Sequence, residues 1–159
     1  AAVAEAITTY RADARSRCWL LITSSKNYLR CIRGHVWGDE DLRRIQQVRT
    51  GEIIFFYVKS PDQYVASMGV VTRPPYEDHS IIWSDDDRVY PFRFHFEVLV
   101  EAVRPIALRR LVPKLDLFDR LDDPNWGRRL QAAMKELTPH DCTVLREALT
   151  AVSSMGTAS

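Results

Sequence analysis

The chain has no long apolar run, little glycine and few cysteines. Its longest unbroken apolar stretch, Ile53 to Val58, falls far short of the roughly 20 residues that a membrane-spanning helix requires, so the chain is expected to be soluble, with no membrane partner. Cys18, Cys31 and Cys142 are the only cysteines. They are too few and too scattered for a disulfide framework or a zinc site, both of which need close pairs, and this points to the cytoplasm. With 6 Gly and 8 Pro among 159 residues, 46% hydrophobic and 27% charged, collagen-like, low-complexity and wholly disordered classes are excluded.

Net charge is lacking too: 22 bases oppose 21 acids, so there is no uniform basic field of the kind that drives indiscriminate binding to nucleic acid. The bases are unevenly placed, nine against five acids in residues 1 to 50 and thirteen against sixteen thereafter, and eighteen of them are Arg. The planar fork of Arg suits phosphates and base edges.

Catalytic signatures are also missing. There is no phosphate-binding glycine loop, no nucleophile elbow and no paired-His helix, motifs whose spacing would bring reacting groups together. His35, His79, His95 and His140 are widely spaced, and three consecutive carboxylates, Asp85 to Asp87, cannot all point into one site. No metal, no cofactor and no enzymatic activity are expected.

What is present is a pattern of strands followed by helices. Cys18 to Thr23 is a run of large apolar residues that ends at the helix-start signal Ser24-Ser25, and Tyr28, Leu29 and Ile32 recur at helical spacing until Gly34. A second helical stretch spans Asp41 to Val48. Ile53 to Val58 is apolar on both faces, the mark of a central strand in which Phe55 and Phe56 are both buried. Residues 65 to 71 follow as its hairpin partner, ended by Arg73-Pro74-Pro75. Phe92 to Val103 alternates, Phe92, Phe94, Phe96, Val98 and Val100 facing one way and Arg93, His95, Glu97 and Glu101 the other. Trp126, Leu130, Ala133, Met134 and Leu137 form a helical stripe. Thr138 caps a last helix, with Asp141 as the reciprocal carboxylate and Cys142, Leu145 and Leu149 inside. These elements predict an α+β domain over residues 18–152, preceded by a flexible extension (1–17) and followed by a flexible tail (153–159).

Two tryptophans stand out. Trp37 lies between Gly34 and Gly38, and Trp83 lies in the polar segment before the alternating strand; both read as loop aromatics, and a loop aromatic among small and polar neighbours offers a flat ligand a face to stack on.

The runs Trp19 to Tyr28, His35 to Gly38, Val48 to Lys59, Gly69 to Tyr76 and Tyr90 to Phe94, with Trp126 to Leu149, resemble the EVE domain family of the PUA-like superfamily, which also contains the YTH readers of methylated adenine. The resemblance spans residues 18 to 150. It implies a pseudo-barrel of about five or six strands covered by helices, with a cleft in which Trp37 forms one aromatic wall, Asn27 bonds the base edge and Trp83 supplies a second wall. Thr23, Ser24 and Ser25 would read the polar edge, and Arg30, Arg33, Arg43 and Arg44 would hold phosphates. The function so implied is non-enzymatic recognition of a methylated or hydroxymethylated base in DNA or RNA, with a partner protein supplying any downstream activity. The alternative is a pocket for a free nucleobase, nucleoside or other planar ligand.

Overall fold

The computed structural model describes residues 17–60, 63–82, 88–118 and 134–157. The expected extension up to residue 16, the segment holding Trp83 and Asp85 to Asp87, and the segment holding Trp126, Leu130 and Ala133 lie outside the described residues.

Among the described residues, six strands form one sheet. They are β1 (Cys18–Ser24), β2 (Val36–Asp39), β3 (Ile53–Ser60), β4 (Tyr64–Glu77), β5 (Phe92–Ala107) and β6 (Met134–Leu137), in the order β2-β5-β4-β3-β1-β6. The helices are α1 (Ser25–Gly34), the single turn α2 (Leu42–Ile45) and α3 (Pro139–Thr157). β1 and β3 run parallel, from Cys18 beside Ile53 to Thr23 beside Val58, and every other pairing is antiparallel.

The sheet is packed on both faces, and the parity of β3 shows why. Ile53, Phe55 and Tyr57 enter a core with Leu20, Met68, Leu108 and the α3 residues Cys142, Leu145 and Leu149. Ile54, Phe56 and Val58 enter a second core with Leu21, Trp37, Phe94 and Phe96. Phe55 and Phe56 are both 0% exposed, as a two-sided apolar strand demands. The sheet is also strongly curled. β2 lies three strands from β3, about 14 Å in a flat sheet, yet the Trp37 and Phe56 rings are 6.2 Å apart between centroids. Curling is favoured by the four register shifts between β4 and β5, because each bulge adds local twist.

Several elements differ from the expectation. His35-Val-Trp-Gly38 is not a loop: Val36–Asp39 pairs along β5 as an edge strand. The helix before it ends at Gly34, as expected, but the left-handed capping residue is His35, with a φ of 54°, and not the glycine. The helix expected over Asp41 to Val48 shrinks to Leu42–Ile45, capped by Asp41. Pro74 and Pro75 do not end β4, which continues to Glu77 across the Val71–Tyr76 irregularities, where a missing N–H is tolerated. Met134 and Leu137, read as one helical stripe, sit in β6 and enter opposite cores, as the period-2 geometry of a strand requires.

At the last helix, Thr138 Oγ1 accepts from the Asp141 N–H at 3.1 Å, which is the expected cap. The Asp141 carboxylate does not return to the cap. It accepts instead from the N–H groups of Asp116 (2.6 Å) and Leu117 (2.9 Å) and ties the preceding 3-10 turn (Asp116–Phe118) to α3. The helix then runs to Thr157, through most of the segment expected to be a tail. Cys18 and Cys142 are joined in a disulfide with a Cα separation of 6.1 Å, within the ordinary range for such a bond. The scatter that argued against a disulfide was scatter along the chain only; the fold lays the start of β1 against the first turn of α3. The compartment argument built on that scatter loses its premise.

Candidate functional site

A cavity of about 320 Å³ opens at the carboxyl ends of the two parallel strands, where Thr23 and Ser24 of β1 and Lys59 of β3 meet the first turn of α1. Its other wall is β2, which the curl brings across: Trp37, Gly38, Asp39 and then Glu40. Arg88 and Tyr90 complete the rim. The volume lies at the small end of the ~300–1,000 Å³ usual for ligand sites, enough for one planar group.

The local structure explains each placement. Ser24 caps α1, its Oγ accepting from the Asn27 N–H at 3.3 Å, which leaves the hydroxyl proton free to donate to a ligand. Asn27 follows in the first turn. Its Oδ1 accepts from Arg30 Nη1 at 2.8 Å. Trp37 and Asp39 lie two residues apart on β2 and share a face by strand parity; Trp37 closes the end of the Phe56 core, and Asp39 stands just beyond it, its Oδ1 accepting from the Asp41 N–H at 2.8 Å. Gly38 is needed for close approach, since a Cβ there would lie 2.6 Å from the Tyr90 Cβ.

Tyr90 itself is held from below. Arg93, expected on the polar face of the alternating strand, is 3% exposed; its Nε donates to the Tyr90 carbonyl at 2.8 Å and its Nη1 to Ser80 Oγ at 3.0 Å. Across the rim, Arg88 Nη2 donates to Glu40 Oε1 at 2.6 Å.

Of the residues singled out from sequence, Thr23, Ser24, Asn27 and Trp37 converge on this cavity, while Ser25 does not line it. Trp83 and the Arg44 side chain lie outside what the structure describes. Trp37 is only 5% exposed and belongs to a strand, so it is a cavity wall that is also part of the core; its Nε1 finds no acceptor among the described residues. Arg30 is turned inward at 7% exposure, a placement for holding Asn27 and not for reaching a phosphate. Arg33 is exposed near the end of α1, and Arg43 is exposed and bonded to Asp41; neither lines the cavity. The cations that do are Lys59 and Arg88. Sequence reading missed them together with Asp39, Glu40 and the wall role of Tyr90. One signal was available for Lys59: it is the first charged residue after a fully apolar strand, and the carboxyl ends of parallel strands are where ligands bind in open sheets.

Two other groups bear on chemistry. Burial pushes the thiol of Cys31, which is outside the disulfide, up to about 12, so it stays protonated and a poor nucleophile at neutral pH. Asp116, His140 and Asp141 bring ligand-type atoms within 4.8 Å of one another, a grouping that sequence spacing did not foresee. Their hydrogen-bonding is local: Asp141 serves Asp116 and Leu117, and His140 Nε2 lies 2.8 Å from the Lys114 carbonyl.

No protein-family sequence model matches the chain, and no curated protein matches it in sequence. Solved structures do match. The human THYN1 protein, in complex with 5-methylcytosine-containing DNA, superposes with a TM-score of 0.59 at 15% identity, covering 84% of this chain and 97% of that one. The fold is a PUA-like pseudo-barrel. The YTH domain of the Zygosaccharomyces rouxii MRB1 protein, in complex with N6-methyladenosine RNA, gives 0.59 at 15% identity over 89% and 87% of the two chains. A Pseudomonas putida protein gives 0.60 at 18% identity over 82% and 97%. No helix among the described residues is long and apolar enough to cross a membrane.

Proposed function

We propose that this PUA-like domain is a non-enzymatic, EVE-type module that takes one modified base of a nucleic acid, methylated or hydroxymethylated, into the cavity between Trp37 and α1. The observation that carries the reading is the composition of that cavity: an indole and a phenol, the Asn27 amide, the Ser24 hydroxyl and two carboxylates around about 320 Å³. Two proteins of the same fold are bound, one to DNA containing 5-methylcytosine and one to N6-methyladenosine RNA. Taking a base out of its stack costs a few kcal/mol, which aromatic contact of about 1 to 3 kcal/mol per base offsets. In this reading Lys59 and Arg88 at the rim contact the flanking backbone, with Arg33 and Arg43 further out.

The test is a binding panel of single- and double-stranded oligonucleotides that differ only in one base: 5-methylcytosine, 5-hydroxymethylcytosine, N6-methyladenine or the unmodified parents. A preference of at least about tenfold (~1.4 kcal/mol) for one modified strand is expected. Its affinity should fall as salt rises, because phosphate contacts release counterions. Equal binding of modified and parent strands would refute the reading, and salt-insensitive binding of a free nucleoside in preference to any strand would replace it with a small-molecule pocket.

A further inference from the structure

The Asn27 amide has one orientation open to it. Arg30 stands three residues later on the same face of α1, is buried, and puts Nη1 2.8 Å from the Asn27 side chain. A guanidinium carries five N–H donors and no acceptor, so the amide atom opposite it must be the oxygen. With Oδ1 turned to Arg30, Nδ2 is the end of the amide left for the cavity that Asn27 lines, and an amide nitrogen only donates.

The facing wall has the opposite character. Asp39 and Glu40 line it, and their carboxyl oxygens are acceptors. Acceptors thus stand across the cavity from the Asn27 donor, alongside the Trp37 Nε1–H on the same strand and the Arg88 guanidinium that Glu40 holds at the rim.

We propose that Arg30 is the positioning residue of this pocket: by locking Asn27 Oδ1 it fixes Nδ2 toward the cavity, where it donates to an unprotonated ring nitrogen, so that the pocket selects a base edge with a ring-nitrogen acceptor beside an amino group. The proposal rests on the base-binding reading above and adds the class of base. Adenine and cytosine present such an edge, and N6-methyladenine and 5-methylcytosine retain it. With the ring position at Asn27, uracil and thymine place an N–H against Nδ2 and turn a carbonyl oxygen toward the carboxylates. Rejection is strong because a ligand with an N–H at Asn27 leaves two donors face to face and unpaired in a buried site. Without Arg30 the amide turns over at little cost and offers either atom.

Two measurements test this, one of them free of ligand. The chain has two asparagines, Asn27 and Asn125, and four glutamines, so its side-chain amide NMR spectrum holds only six pairs. Arg30→Met should move the Asn27 pair, assigned by its loss in Asn27→Asp; an Asn27 pair indifferent to Arg30→Met overturns the proposal whether or not any base binds. The second measurement uses one nine-nucleotide RNA single strand with a central adenine, cytosine, guanine, uracil, N6-methyladenine or 5-methylcytosine. Wild type should span at least about tenfold in Kd, with uracil at the weak end. Arg30→Met should compress that span to about twofold, and Arg30→Lys, which keeps a donor, should restore part of it. Asn27→Asp leaves Arg30 paired and turns the free atom into an acceptor, so it should raise uracil within the ranking even if Arg30→Met folds poorly. A span that survives Arg30→Met, or a ranking unmoved by Asn27→Asp, refutes the positioning role. If wild type binds no strand, the base-reader reading fails, and the amide spectrum still decides whether Arg30 holds Asn27.

Discussion

The Trp37 indole packs 6.2 Å, centroid to centroid, from the Phe56 ring at an interplanar angle of 58°, so the wall of the cavity is continuous with the core. Truncation at Trp37 therefore removes two things at once. Trp37→Ala should cost about 3 to 5 kcal/mol of stability, the usual penalty for emptying a core aromatic site. Trp37→Phe keeps the ring against Phe56 and deletes an Nε1 that has no acceptor among the described residues, so it should cost less than about 1.5 kcal/mol. Its affinity for the preferred base should still fall, because stacking area is lost. Urea unfolding and titration of both variants check this; a Trp37→Ala protein as stable as wild type would show that the indole does not close the core.

Gly38 meets Tyr90 at the cavity mouth, and a Cβ would be only 2.6 Å from the Tyr90 Cβ. That atom is the root of its side chain, so the clash cannot be relieved by a rotamer change. Gly38→Ala should push the 88–90 segment away from β2, strain its tie to Arg93, and cost on the order of 1 to 3 kcal/mol as overpacking does. Ligand affinity should fall more than it does for an alanine placed at exposed Arg33. A Gly38→Ala protein with wild-type stability and affinity would show that Tyr90 is not pressed against β2.

The two-sided strand at Phe55 and Phe56 and the alternation of Phe92 to Val100 were legible because each carries a periodic signal long enough to name its element. β2 was not, because four residues with a glycine among them read equally as a loop, and its pairing with β5 is a tertiary fact. The same holds for Arg30. Helical spacing offered Leu29 or Arg30 to the interior, and propensity favours the leucine, yet Leu29 is 57% exposed and Arg30 is buried because its partner is Asn27. Of the site, the α1 side was readable from its cap and polar residues. The opposing wall was not, since Asp39, Glu40, Arg88 and Tyr90 reach the cavity only through the curl of the sheet.

The Cys18–Cys142 bond joins residues 124 apart in sequence and fastens the first strand to the last helix. Closing so long a loop restricts the unfolded chain, and its removal should cost about 2 to 5 kcal/mol. Thiol titration in denaturant without reductant should find one free cysteine per chain, Cys31, and three after reduction. Cys142→Ser should lower the melting temperature in the absence of reductant and match the reduced wild type. Three titratable thiols in protein never exposed to reductant would show that the bond does not form.

His95 sits on β5 with its Nε2 2.6 Å from the Tyr76 hydroxyl. Burial, and then the nearby Arg73 guanidinium, hold its pKa below the ordinary imidazole value. Arg73 is fixed in place over the Tyr76 ring, 3.8 Å from the centroid. In the unfolded chain the imidazole titrates near about 6.5. Below that pH the unfolded state takes up a proton before the folded state does, so the contribution of this site is complete above about pH 6.5 and is lost as pH falls toward the depressed folded value. His95→Gln keeps a hydrogen-bonding group for Tyr76 and removes the titration. The wild-type melting temperature should therefore drop more between pH 7 and pH 5 than that of His95→Gln, the two curves converging in slope above pH 7. Parallel curves throughout would mean that His95 titrates alike in both states, and that Arg73 and burial do not disfavour its charge.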